Sequence, residues 1–81
     1  MFYTYILYSK KLNKYYVGHT KDFERRFEEH NRGKSRFSKS GIPWEKIKVF
    51  ECMTNLECCN LEDKIKKRGC ERFLKDLEIS S

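Results

Sequence analysis

The chain has 81 residues, and a domain of that size can remove only about 60% of its unfolded-chain surface from water, which excludes a second large core. One domain over residues 1–81 is therefore expected. A 37% charged content with both signs interspersed, beside 15% aromatic residues, argues against a wholly disordered chain. Eighteen Lys and Arg against twelve Asp and Glu give a net charge of +6, a balance that suits a polyanion such as nucleic acid. Neutralising phosphates releases condensed counterions whatever the base sequence. No apolar run approaches the ~20 residues that a spanning helix needs, so no membrane association is predicted.

Residues 2–9 alternate between two faces, with Phe2, Thr4, Ile6 and Tyr8 on one and Tyr3, Tyr5 and Leu7 on the other. This period of two predicts a strand. The polar stretch 10–14 separates it from a β-rich run at 15–19, which predicts an antiparallel hairpin closed by a loop rather than by a two-residue turn. Gly18 weakens the second strand and permits close approach of another group. Thr20 reads as a helix N-cap with Asp22 in the first turn, and Phe23 and Phe27 four apart predict a helix to about Asn31 that Gly33 stops.

Residues 32–41 are small, polar and basic, carrying Arg32, Lys34, Arg36 and Lys39, and read as a loop. A third strand over 44–53 includes Ile47, Val49 and Phe50. Thr54 or Asn55 caps a second helix with the apolar stripe Cys58, Leu61 and Ile65, which Gly69 ends. Residues 70–79, with Phe73, Leu74 and Leu77, form a short terminal helix. Cys52, Cys58, Cys59 and Cys70 lack the C-x-x-C spacing of structural zinc, and no secretory apolar segment precedes the first strand. Reduced, packed thiols in a soluble cytoplasmic chain are expected.

Phe23, Arg26, Phe27 and His30 fall at i, i+3, i+4 and i+7, so a cation and an imidazole share the face that two phenylalanines turn inward. Either Arg26 snorkels past the rings and His30 caps the helix end, or both reach an anion such as phosphate in a cleft. Glu62 borders the second stripe and has the same two readings. It pairs with Lys66 at i+4 for about 0.3–0.5 kcal/mol, or it turns into a cleft where a hard cation takes carboxylate oxygen. Tyr5 and Tyr16, taken alone, are strand tyrosines that pack.

Tyr3-Thr4-Tyr5-Ile6-Leu7 followed by Tyr16-Val17-Gly18 resembles the paired motifs of the GIY-YIG nucleases, with ten residues between the matching tyrosines. Arg26 and His30 then stand where the family has its Arg and, four residues on, its His or Tyr. The segment from Leu61 to Lys67 is similar to the one that carries the family's metal-binding Glu, here Glu62. The likeness covers nearly the whole chain and is nearest to the small single-domain branch related to the N-terminal nuclease domain of the excision-repair nuclease. Tyr3 and Thr4 replace the leading Gly and the aliphatic residue of the first motif, so only Tyr5 carries over from it. No Asn follows Glu62, a position that many members use to place substrate.

The resemblance implies an α+β fold, a small three-stranded antiparallel sheet flanked by about three helices. It also implies a DNA endonuclease with Tyr5, Tyr16, Arg26, His30 and Glu62 as catalytic residues and one Mg²⁺ or Mn²⁺ on Glu62. Arg26 would neutralise charge developing on the phosphate, and Tyr5 or Tyr16 would orient or deprotonate the attacking water. His19, Arg32, Lys34, Arg36 and Lys39 would contact the nucleic acid, DNA first and RNA as a second class, through phosphates rather than bases. Low sequence preference and a monomer are expected. The alternative is a nucleic-acid-binding module that keeps the fold without cleaving.

Overall fold

The computed structural model describes residues 1–34 and 39–80. Among them, β1 (Phe2–Ser9), β2 (Lys14–Thr20) and β3 (Trp44–Cys52) make one antiparallel sheet in the order β2-β1-β3. Pairing of β1 with β2 runs out to Ser9 opposite Lys14, which leaves residues 10–13 as the expected loop. Asn13 takes a left-handed φ of 53° there, and the Ser9 hydroxyl accepts from the Leu12 N–H at 3.1 Å.

The alternation read in β1 is real, but neither face is left to water. Tyr5 and Leu7 join Trp44 in one core cluster, against which Tyr16, Phe23, Phe27, Ile42 and Val49 pack. On the opposite face Ile6 and Val17 meet Ile65, with Phe50, Leu61, Phe73 and Leu74 around them. Three helices supply these layers among the described residues: α1 (Phe23–Arg32) on the first face, and α2 (Asn55–Arg68) with α3 (Cys70–Ser80) on the second. The architecture is the expected α+β sheet.

Asp22, not Thr20, caps α1, its carboxylate accepting from the Arg25 N–H at 3.2 Å. Thr20 is still in the β2 ladder opposite Tyr3, and its hydroxyl instead accepts from the Asp22 N–H at 3.2 Å, tying strand to helix. Gly33 closes α1 with φ 77°, donating to the carbonyls of Glu29 and His30. Thr54 is the α2 cap: its hydroxyl accepts from the Glu57 N–H while the Glu57 carboxylate accepts from the Met53 N–H, both at 3.2 Å. β3 ends at Cys52, and a bulge against Ile6 and Leu7 leaves Ile47 without a paired partner and 39% exposed.

Candidate active site

Tyr5 sits in the middle of the central strand, 1% exposed, directly opposite Gly18. A Cβ on Gly18 would lie 2.6 Å from the Tyr5 hydroxyl and 3.2 Å from Cε1 of Tyr16. Only glycine therefore lets the phenol cross β2 at this height. Tyr16, two residues earlier on β2, holds its ring centroid 6.2 Å from that of Tyr5 and 4.8 Å from that of His30.

His30 comes from the last turn of α1, 1% exposed, with Nε2 at 3.1 Å from the Tyr5 hydroxyl. Arg26, one turn earlier, directs its guanidinium at the same hydroxyl and lies 3.5 Å from the Glu29 carboxylate. Arginine only donates, so the phenol oxygen accepts from it and is free to send its own proton to His30 Nε2. A neutral ring that accepts at Nε2 carries its proton on Nδ1, and that nitrogen is buried without a hydrogen-bond partner among the described residues. A buried donor in this state costs about 1–3 kcal/mol until water or a ligand oxygen meets it.

The ionisations follow the same contacts. Burial pushes Tyr5 up to about 12, against the downward pull of Arg26. Burial also lowers His30, and the Arg26 charge lowers it further. The hydrogen bond with Tyr5 raises Arg26. At neutral pH the group is thus a protonated phenol, a neutral imidazole and a guanidinium cation.

Glu62 reaches the edge strand from the opposite helical layer. His19 Nδ1 donates to Oε1 at 2.9 Å and Lys66 Nζ to Oε2 at 2.8 Å. Desolvation alone would raise this carboxyl; the bonds from Lys66 and His19 outweigh it and hold the group below the ordinary carboxylate value. Its charge is near enough to oppose ionisation of Tyr5, and Tyr16 likewise acts on Lys66. The i+4 pair with Lys66 forms, and the same carboxylate also meets His19 of the edge strand. Among the described residues no three His, Cys, Asp or Glu side chains gather as a metal cluster. A single carboxylate is the donor set of an ion that keeps its waters and takes other oxygens from a phosphate.

The remaining basic candidates are more dispersed. Lys34 joins Arg26, Glu29 and His30 around a cleft of about 130 Å³ and lies 3.8 Å from Glu29. Arg32 is bonded to Glu28 on its own helix, and Lys39 is exposed beside Gly33. Arg36 lies outside the described residues. His19 lines a second cleft of about 280 Å³ with Lys21, Arg25 and Arg26. A larger cleft, about 660 Å³ and lined by Lys64, Arg68, Phe73 and Leu77 among others, contains none of these residues. No spacing in the sequence marks the contact of His19 with Glu62, although Cys59, Glu62 and Lys66 fall at i, i+3 and i+7, one stripe of α2.

The model of the GIY-YIG catalytic domain matches residues 1–72. No curated protein and no solved structure matches the chain.

Proposed function

Because the chain belongs to the GIY-YIG family of nuclease catalytic domains, we propose that it is a metal-dependent endonuclease that hydrolyses DNA phosphodiesters with little sequence preference. The observation that carries this reading is the meeting of Tyr5, Tyr16, Arg26 and His30 in one contact group that also feels the charge of Glu62. Packing alone does not require a cation and an imidazole with a spare donor beside two phenols.

The residues divide the work by their charge states. Arg26, 44% exposed at its side chain, neutralises the scissile phosphate with paired N–H donors. His30 offers its orphan Nδ1–H to a phosphate oxygen or to the water that attacks. Tyr5, kept protonated by a pKa of about 12, orients His30 and is unsuited to remove a proton. That leaves Tyr16, partly exposed at the same place, to position the water. Glu62 would hold Mg²⁺ or Mn²⁺, which when bound supplies polarisation of the phosphoryl oxygen and stabilisation of the leaving oxyanion. His19 and Lys34 border the two small clefts and would take flanking phosphates, with Arg32, Arg36 and Lys39 beyond them.

A second reading, binding without cleavage, draws on the fact that both Glu62 oxygens already have cationic or N–H partners. One experiment separates the two. Supercoiled, linear and single-stranded DNA, and RNA, are incubated with and without Mg²⁺ or Mn²⁺ beside Glu62→Gln and Arg26→Ala. Cleavage that needs the metal and falls by roughly 100-fold or more in each variant is expected. Cleavage without metal, or undiminished in Glu62→Gln, overturns the mechanism, and salt-sensitive binding with no cleavage establishes the second reading.

A further inference from the structure

Tyr3 carries none of the chemistry above. It lies two residues before Tyr5 on the same face of β1, yet it stays half-buried and outside the cluster that Tyr5 and Leu7 join. Its side chain instead lines a cleft of about 380 Å³ together with Phe23 at the start of α1. The Phe23 ring is held in place, stacked on Phe27 with centroids 5.5 Å apart and tilted against Tyr5 at 5.4 Å. Lys21, Asp22, Glu24 and Lys46 stand around the two rings. The Asp22 carboxylate is engaged as the α1 cap, while Glu24 and Lys46 form no ion pair among the described residues.

This lining selects among ligands. Two lysines against two carboxylates leave the cleft without net charge, so a bare phosphate gains little there. Aromatic walls take a flat ring, a lysine takes the phosphate beside it, and the carboxylate of Glu24 accepts from a ring or amino N–H; one nucleotide supplies all three. Inside a duplex both faces of a base are already stacked, so the base has to be unpaired. The volume sits at the small end of the roughly 300–1,000 Å³ of ligand sites, which suits a single nucleotide. The position agrees as well, because this cleft shares Lys21 and Asp22 with the one that His19 and Arg26 line. A strand with a phosphate on Arg26 thus reaches Tyr3 by passing around the first residues of α1. We propose that the cleft between Tyr3 and Phe23 is a subsite for one unpaired base of that strand, so that the protein favours duplexes with a single-stranded tail over blunt ones. The inference rests on the nucleic-acid reading above and not on cleavage.

The test measures binding in EDTA, so that metal-dependent cleavage plays no part. Duplexes with a short tail at either strand end are compared with the blunt duplex by fluorescence anisotropy, and an iodouracil in the tail is photocrosslinked and mapped by peptide mass. The tailed duplex should bind roughly tenfold more tightly, a margin lost in Tyr3→Leu and kept in Tyr3→Phe, with the crosslink on Tyr3 or Phe23. Equal affinities, no binding of either duplex, a margin undiminished in folded Tyr3→Leu, or a crosslink confined to other residues overturns the proposal. Should Tyr3→Leu fail to fold, the crosslink in the unaltered protein decides. A tail preference with no metal-dependent cleavage in the separate assay leaves this subsite standing and removes the nuclease reading.

Discussion

Tyr5 and Gly18 show how one residue's absence of a side chain places another's hydroxyl. A Cβ at 2.6 Å from the Tyr5 oxygen and 2.8 Å from Cζ meets a ring that is packed and has no free direction. Gly18→Ala should therefore cost about 1–3 kcal/mol, read as a lower denaturant midpoint at constant m. His30 supplies a pH dependence. Its folded pKa is lowered from 6.5, by burial first and Arg26 second, so the fold favours the neutral ring. The stability this contributes is complete above pH 6.5 and is lost as pH falls through the folded value. The gap in unfolding midpoint between the unaltered protein and His30→Gln should shrink on acidification from pH 7.5; a gap that is constant or grows would contradict it. At this scale the sequence was informative: Arg26 and His30 stood out because polar groups occupied an apolar helical stripe. The proton order between them was not legible, because it depends on Tyr5 arriving from a strand twenty-five residues away.

The elements were read from local chemistry, and their ends differ where tertiary pairing intervenes. Thr20 has the side chain of a cap but is held in the ladder with Tyr3, so capping passes to Asp22. Ile47 has the side chain of a core strand residue but falls at the bulge. A less visible element-scale device joins α1 to β3. The Asn31 side chain accepts from the Trp44 N–H at 2.6 Å and donates to the Trp44 carbonyl at 3.2 Å, clamping the first residue of the strand. Asn31→Ala removes both bonds and should destabilise by about 1–3 kcal/mol. Fluorescence of Trp44, the chain's one tryptophan, reports the same unfolding. Asn31 looked like an ordinary helix end, since its partner lies thirteen residues on.

For the whole molecule, a longest extent of 33 Å covers roughly ten base pairs at ~3.4 Å per step. Nucleic-acid binding should weaken linearly on a log–log plot against salt. Lys34→Gln and Lys39→Gln, if those side chains meet phosphates, should each reduce the slope by about 0.9. An unchanged slope in both would remove them from the contact surface. The approach of Glu62 to His19 belongs to this scale too, being set by how α2 lies against an edge strand rather than by any spacing. Burial of β1 on both faces has a consequence for pairing. A slip of one residue would exchange its two sets of side chains, and two apolar layers would receive the exchanged set without exposing grease to water. What tells the two arrangements apart is polar: Thr4 Oγ1 on the Cys58 carbonyl at 3.1 Å, Tyr5 on His30, and Ser9 on the Leu12 N–H. These three hydroxyls are the notches of a key, and the strand fits its lock in one position because each finds its partner there.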